Sequence, residues 1–463
     1  MEKDFEGKKA RQFEGKKVLV VGMGKSGIAV TQALLKIGAS VTVQDIKKKE
    51  DVDSHLLQFL ENVGVKCYFG IKPDPKDIFD MVVLSPGVPT YLDFIAEAKD
   101  KGAEIIGELE IAYRVGSGTY IAITGTNGKT TTTALVGEIF KQSKRKTFVV
   151  GNIGVAVISR SLISTKDTWL VTEVSSFQLE TTKQFKPYIS AILNITEDHM
   201  DRHETMEKYI KAKGEILKNQ GESDYTVINA DDEACVAIAS SAACKVVYFS
   251  RVKELPFGCF VRGNQIIIRD ESGKETNICS TKELLIPGEH NVENALAATA
   301  ISYFAGIEPE IISQVLKSFN GVPHRLEFVE EIDGRKFVND SKGTNPNSTI
   351  KAIEAMPPGI VLIAGGYDKG GNFDSLIKSF NGKVKGLVLM GKTAPLIKQT
   401  AESLGFYEIK IAKDMDESVR LAYGMASQGD TVLLSPACAS WDMYTNFEQR
   451  GEHFKTLVHK LAN

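Results

Sequence analysis

The chain has 463 residues, which at roughly 150 residues per domain corresponds to about three domains. Lysine and arginine total 56 and aspartate and glutamate 59, so the net charge of −3 argues against a general nucleic-acid binder. A hydrophobic share of 43% beside a charged share of 25% excludes a disordered, collagenous or fibrous protein.

The six cysteines, at 67, 235, 244, 259, 279 and 438, form no C-x-x-C pair, and their scatter fits free thiols in a reducing compartment. Met1 to Phe5 is charged and lacks the apolar core of a signal peptide. The most apolar stretch, Ala295 to Ile307, contains Thr299 and Ser302 and is too short to span a bilayer, so a buried helix is expected. A cytoplasmic protein without membrane insertion is the expectation.

In chain order, Phe-Glu-Gly-Lys-Lys occurs at 5–9 and 13–17 and reads as a short extension ahead of the first strand. Val18 to Val21 predicts a buried strand, Ile28 to Ile37 a helix stopped by Gly38, and Val41 to Val43 a strand ending at Asp45. Met81 to Leu84 is a later strand, followed by Ser85-Pro86-Gly87. Alternating strands and helices predict a doubly wound α/β region, Rossmann-like, over 1–112. The turn-rich Gly116-Ser117-Gly118 opens a second region, 113–321. Its strands are expected at Tyr120 to Ile123, Trp169 to Glu173 and Ala191 to Asn194, with β-type residues dominating 246–286. After Asn320-Gly321-Val322-Pro323 a third α/β region, 322–463, carries strand signals at Phe337-Val338, Ile360 to Ala364, Gly386 to Met390, Tyr407 to Ile411 and Thr431 to Leu434. Ligands in such sheets bind beyond the carboxyl ends of strands. The turns 340–344, 365–369 and 435–438 are therefore candidates.

Two loops carry phosphate chemistry. Gly22-Met23-Gly24-Lys25-Ser26-Gly27 fits G-x-G-x-x-G between a strand and a helix, with Asp45 at the end of the next strand. It predicts a nucleotide diphosphate, either of a nicotinamide cofactor or of a nucleotide sugar. Thr124-Gly125-Thr126-Asn127-Gly128-Lys129-Thr130-Thr131 is a shortened P-loop, with Ile123 where the full pattern has glycine. Its amides would cradle ATP phosphates, Lys129 would reach the β and γ phosphates, and Thr130 would face Mg²⁺. A dehydrogenase explains only the first loop and a simple ATPase only the second. A non-catalytic nucleotide sensor leaves the polar turns of the third region without a role. An enzyme that uses ATP on a nucleotide-linked substrate needs both loops. Glu173, past a strand, reads either as a Mg²⁺ ligand or as a surface acid. Asn194 to His203 concentrates Glu197, Asp198, His199, Asp201 and His203 after a strand, which suggests a metal or phosphate site. The inferred chemistry is phosphoryl transfer.

The Gly-Thr-Asn-Gly-Lys-Thr-Thr loop, Asn194 to Arg202, Asn339 to Asn345 and Ser435 to Gly451 together resemble the Mur ligase family, closest to its D-glutamate-adding branch. The similarity runs from Gly15 to about residue 460. Folylpolyglutamate synthetases share a similar loop, so another Mur-type or folylpolyglutamate-type amino-acid ligase is the alternative. The resemblance implies three domains: a Rossmann-like N-terminal one, a P-loop-type mononucleotide-binding central one and a doubly wound C-terminal one. It implies a monomer that joins D-glutamate to UDP-N-acetylmuramoyl-L-alanine through an acyl phosphate, releasing ADP and phosphate.

Residue by residue, the resemblance places Lys25, Ser26, Asp45, Gly87, Asn152 and His199 on the UDP-substrate. It places Gly125, Thr126, Asn127, Gly128, Lys129, Thr130, Thr131, Asn294, Arg325 and Asp340 on ATP, with His324 beside Arg325 at a hinge. Thr344, Lys369, Ser440 and Phe447 fall on D-glutamate, and Lys342 near the reaction centre. Two Mg²⁺ sites would draw on Thr130, Glu173, His199 and a lysine carbamylated by CO₂. That lysine is Lys213 by the Tyr-x-x-x-Lys spacing from Tyr209, with Lys211 as the neighbouring rival.

Overall fold

The computed structural model describes residues 11–152, 154–367 and 372–462. The first Phe-Glu-Gly-Lys-Lys copy and Lys369 lie outside the described residues.

The first sheet contains β1 (Lys17–Val21), β2 (Ser40–Asp45), β3 (Lys66–Phe69), β4 (Met81–Leu84) and β5 (Glu104–Gly107). All pairings are parallel, in the order β3-β2-β1-β4-β5. The apolar runs Val18 to Val21 and Met81 to Leu84 are buried throughout, as in strands covered on both faces. Strand order reverses between β1 and β4, which opens the crevice where ligands of such folds bind. Helix α1 (Lys25–Lys36) starts there.

The central sheet has nine strands: β6 (Thr119–Thr124), β7 (Thr147–Gly151), β8 (Trp169–Glu173), β9 (Ile189–Ile192), β10 (Tyr225–Asn229), β11 (Lys245–Ser250), β12 (Gly258–Arg262), β13 (Gln265–Arg269) and β14 (Glu275–Ser280). The order is β14-β13-β12-β11-β10-β9-β6-β8-β7, parallel from β7 to β12 and antiparallel at β13 and β14. The β-rich 246–286 segment is thus the outer part of this sheet. The third sheet has β15 (Glu327–Ile332), β16 (Arg335–Asn339), β17 (Ile360–Ala364), β18 (Val384–Leu389), β19 (Ile409–Ile411) and β20 (Thr431–Leu434), ordered β15-β16-β20-β17-β18-β19. Strand β20 inserts between β16 and β17, so the turns after all three open at one edge. Strand β15 was not anticipated. Its Glu327, Glu330 and Glu331 mask strand character, yet charge suits an edge strand, where it blocks pairing with other chains.

Seven helices bear on the site: α1, α2 (Glu108–Val115), α3 (Lys129–Gln142), α4 (Met206–Gly214), α5 (Glu289–Phe304), α6 (Pro346–Ala355) and α7 (Phe447–Ala462). The apolar stretch from Ala295 lies in α5, buried from Ala295 to Ser302 and packed on α3. Among the described residues no helix is long and apolar enough to cross a membrane.

The boundary expected at residue 112 falls inside α2, which binds the first and central domains to each other. Glu110, fully buried, accepts the backbone N–H of Lys183, Gln184 and Phe185 at 2.9, 2.9 and 3.0 Å. It also pairs with Arg114 at 2.7 Å, and Arg114 grips Glu104 through two further bonds. Glu108 accepts from Ile158 N at 2.7 Å, and burial pushes its carboxyl up to about 7. The period and composition of α2 carry no sign of this, because the partners are backbone amides far along the chain.

Glu110→Ala strips Arg114 and three amides of their acceptor in a dry junction. We expect a loss of about 3–5 kcal/mol, read as an earlier first transition in urea, with the C-terminal transition unmoved.

Candidate active site

Beyond β6 the chain turns through Gly125 and Gly128 into α3. Gly128 has φ +83°, and a Cβ there would sit 2.3 Å from Asn294 Oδ1 on α5. Only glycine serves at this position, because the backbone must pass left-handed against a buried amide. The loop is fixed from behind by the segment after β9. Asn194 accepts Asn127 N at 2.8 Å and donates to Asn127 O at 3.1 Å, and Thr126 Oγ1 exchanges two 3.0 Å bonds with the Thr196 backbone. Lys129 Nζ donates to the Gly125 and Thr126 carbonyls at 2.9 and 2.7 Å. Thr130 and Thr131 are buried at the start of α3. Asn294 accepts from Thr132 Oγ1 at 3.2 Å and donates to Asn291.

Glu173 ends β8 beside this loop and is buried. Its Oε1 accepts from Asn152 Nδ2 at 3.0 Å, while its Oε2 has no hydrogen-bond partner among the described residues. A buried carboxylate oxygen without a donor costs free energy unless something cationic faces it. Lys213, on α4, is 1% exposed and donates to Gly125 O at 2.8 Å. Burial first, then Lys129 nearby, holds its ammonium well below the ordinary lysine range. Its rival Lys211 points into solvent. His199 has a left-handed backbone, φ 56°, and meets Phe177 edge to face at 4.9 Å. Of the other polar candidates in that segment, Glu197 and Asp201 are exposed, Asp198 reaches the third domain, and His203 is buried.

Among the described residues no three His, Cys, Asp or Glu side chains converge to hold a metal. A cation would need hydroxyls, phosphates or a modified lysine to complete its shell.

From the third domain, Asp340 directly follows β16 and is fully buried. It accepts from Ser435 Oγ at 2.7 Å and pairs with Arg325 at 3.5 Å, and burial pushes its carboxyl up. Lys342 lies 4.8 Å over the Phe447 ring. Burial lowers its ammonium from 10.5 to about 8, against the pull of Glu173 and with the push of Arg325 and Lys129. Those three neighbours place Lys342 at the cleft between domains. Arg450, 1% exposed, donates to Ser341 Oγ and O and to Cys438 O at 3.0, 2.8 and 3.1 Å, and so fixes two candidate turns to α7. Ser440 is buried two residues past one of those turns and Thr344 is half-buried on the other.

The two domains meet at the loop. Asn127 Nδ2 donates to Asn347 Oδ1 at 2.9 Å, Ser348 Oγ donates to Asn127 Oδ1 at 2.7 Å, and Asn345 Nδ2 donates to Asp198 Oδ2 at 3.0 Å. A cavity of about 270 Å³ lies at this seam, lined by Gly128, His290, Asn294, Arg325, Asp340 and Lys351 among others. Burial lowers His290 to about 3, so its ring is neutral there.

In the first domain a Cβ on Gly27 would lie 1.8 Å from Gly22 O, so this glycine lets α1 pack on the turn. Ser26 is half-buried at the start of α1, with Lys25 and Gly87 exposed nearby. Asp45, expected on the UDP-substrate, has both oxygens on backbone: Oδ2 accepts Met23 N at 2.6 Å and Oδ1 accepts Lys47 N at 2.9 Å. An open cleft of about 810 Å³ between the first and central domains is bordered by Lys99, Lys183 and Lys211 and includes His203 in its lining.

Sequence reasoning passed over Asn194, Thr196, Asn345, Asn347, Ser348, Ser435 and Arg450. All but Ser435 hold the site through backbone or amide contacts that residue type does not advertise, although most fall within the motifs already singled out.

Fold and site define a nucleotide-binding α/β enzyme of three lobes. The family model described as Mur ligase middle domain matches residues 123–302, Mur ligase, glutamate ligase domain matches 324–438, and Mur ligase MurD-like, N-terminal domain matches 16–107. The chain belongs to the Mur ligase family. It is 50% identical over 450 residues to the UDP-N-acetylmuramoylalanine–D-glutamate ligase of Clostridioides difficile (strain 630), covering 97% of this chain and 99% of that one. It is 49% identical over 453 residues to the protein of the same name from Thermoanaerobacter sp. (strain X514), with the same coverage. Among solved structures, MurC from Thermotoga maritima aligns at TM-score 0.62 and 19% identity, over 96% of this chain and all of that one. MurF from Thermotoga maritima in complex with ADP aligns at 0.58 and 17%, over 98% and 97%.

The depressed Lys342 has a thermodynamic consequence. Its folded value lies below its unfolded one, so carrying the charge weakens the fold below pH 8, and that penalty fades as pH rises from about 8 to 10.5. Lys342→Met should raise the melting temperature at pH 7, and the gain should vanish near pH 10.5; an equal gain at both would refute the assignment.

Proposed function

We propose that the chain is an ATP-dependent ligase that joins D-glutamate to the L-alanyl carboxylate of UDP-N-acetylmuramoyl-L-alanine, in the synthesis of peptidoglycan precursors. The observation that carries this reading is the seam itself: a phosphate loop from one domain is held against Lys342, Arg325 and Asp340 from another. The relatives' shared name supplies the substrates. We read the three domains as UDP-substrate, ATP and D-glutamate lobes over 1–112, 113–321 and 322–463, with α2 shared between the first two.

The roles follow from position. Asn294, Arg325 and Asp340 line the 270 Å³ cavity, which suits a nucleoside, and its phosphates would run along Gly125 to Thr131 toward Lys129. Lys129 then exchanges the loop carbonyls for phosphate oxygens and neutralises charge on the γ-phosphoryl. The substrate carboxylate attacks that phosphorus in line, ADP leaves, and an acyl phosphate forms. The D-glutamate amine adds to the acyl carbon through a tetrahedral intermediate, and phosphate departs as the amide forms. Lys342, a cation in a dry cleft, stabilises the developing negative charge. Thr344, Lys369, Ser440 and Phe447 form the D-glutamate pocket in this reading. Lys25, Ser26, Asp45, Gly87, Asn152 and His199 hold the UDP-substrate. Asp45 acts there by ordering Met23 N–H in the glycine loop, and Asn152 by holding Glu173 as well as the sugar.

The orphaned Glu173 Oε2 suits Mg²⁺. Thr130 and Glu173 would hold one ion, and His199 and a carbamate on Lys213 a second, supplying charge neutralisation for the transferring phosphate. Lys213 fits carbamylation because burial makes its ammonium give up the proton more readily, and the neutral amine is the form that attacks CO₂. All six cysteines are free thiols, which supports a cytoplasmic setting.

Incubation with ATP, Mg²⁺, UDP-N-acetylmuramoyl-L-alanine and a panel of amino acids tests the reading. Phosphate release with D-glutamate and not with L-glutamate, L-lysine or diaminopimelate is expected; release with a folate and L-glutamate instead would overturn it. Lys129→Ala should cut acyl-phosphate formation at least about a hundredfold, trapped by borohydride reduction of the acyl phosphate. Lys213→Ala should lose turnover and regain part of it with added formate or acetate, which can stand in for the carbamate anion.

A further inference from the structure

His199 and Lys213 sit on different segments, and one buried residue with no part in the chemistry above stands between their supports. His203 is 3% exposed. Its Nε2 lies 2.9 Å from Ser176 Oγ and its Nδ1 3.4 Å from Glu180 Oε1, so the ring is held at both nitrogens. Phe177 stacks on it, centroids 5.3 Å apart and planes 17° from parallel, and Phe177 in turn meets His199 edge to face at 4.9 Å. Tyr209 packs against the same imidazole at 5.0 Å. The Tyr209 ring lies 4.6 Å beneath Lys213 Nζ, and its hydroxyl is 3.2 Å from Thr126 Oγ1 in the phosphate loop. His203 N–H also donates to His199 O at 3.0 Å, which closes the left-handed turn that aims His199.

We propose that His203 is a positioning residue whose braced ring sets the spacing of His199 and Lys213, through Phe177 on one side and Tyr209 on the other. The inference rests on the reading that Lys213 carries a carbamate and shares a cation with His199. The ring is the essential part. An aliphatic side chain would fill the volume but offer no flat face to Phe177. Ser176 and Glu180 keep the imidazole from swinging, and Glu180 is itself held by Arg202 at 3.1 Å. Packed aromatic rings transmit position because they are stiff and have few rotamers.

The test uses the whole protein and reads two quantities besides turnover. The first is the ¹³C resonance of the lysine carbamate after equilibration with ¹³C-bicarbonate, identified by its loss in Lys213→Ala. The second is the dissociation constant for Mn²⁺ by electron paramagnetic resonance, with a non-hydrolysable ATP analogue bound. His203→Asn keeps a polar group but not the ring, and should largely lose the carbamate signal and weaken Mn²⁺ at least about tenfold. His203→Phe keeps a flat ring between Phe177 and Tyr209 without the Ser176 and Glu180 tethers, and should retain clearly more of both than His203→Asn. Phe177→Leu, which breaks the link to His199 but leaves His203 tethered by Ser176 and Glu180 and packed on Tyr209, should keep the carbamate and still weaken Mn²⁺. A wild-type protein without the carbamate signal would sink the reading beneath the proposal, and the proposal with it. A wild-type signal that persists unchanged in His203→Asn, an equal loss in His203→Phe and His203→Asn, or unaltered Mn²⁺ affinity in Phe177→Leu would each overturn the positioning role alone.

Discussion

The side-chain amide of Asn127 is held at both ends by the start of α6, and much of the rest follows from that contact. A phosphoryl donor and its acceptor must approach to about 3–3.5 Å in line before transfer is fast. Here the loop that would cradle the donor belongs to one domain and the groups that would stabilise the products to another. Neither domain holds a complete site. The Asn127–Asn347–Ser348 bonds and the Asn345–Asp198 bond define the docked arrangement in which the two halves face each other. Amide and hydroxyl pairs suit such a seam, because they are directional yet cheap to break when substrates enter or products leave.

The cleft concentrates groups in unfavourable charge states. Lys213 and Lys342 are pushed down by burial, Asp340 is pushed up, and Glu173 keeps an oxygen without a donor. In a site of low effective dielectric these deficits are preorganisation. In the proposed reaction a triphosphate with its cations would satisfy them on binding, without water having to reorient at the moment of reaction. The same logic separates the two lysines of α4. Lys211 lies in solvent, while the burial that makes Lys213 costly as a cation makes it available as an amine.

Much of this was legible in the sequence because glycine, lysine and strand patterns report local geometry. Both phosphate loops lie where their glycines place them, between a buried strand and a helix, and α5 is the buried helix its composition promises. What the residues hid was long-range. Glu110 looks like an exposed helix acid until its three backbone amides arrive from 183–185. Asp45 falls on the UDP-substrate by resemblance, and no residue pattern foretold that its oxygens secure the turn of its own domain. Lys213 carries no local signal of its own, since its significance is burial against Gly125, and the polar segment that includes His203 gave no sign of its packing on Phe177. Acidic β15 escaped because edge strands are selected for charge over β-propensity.

The claim on which the account turns is that the γ-phosphoryl group of ATP passes to an oxygen of the alanyl carboxylate. The most direct measurement labels that carboxylate with ¹⁸O and analyses the inorganic phosphate released during D-glutamate addition by mass spectrometry. One ¹⁸O atom per phosphate is the result the account predicts. Phosphate free of the label, with amide still forming, would contradict it.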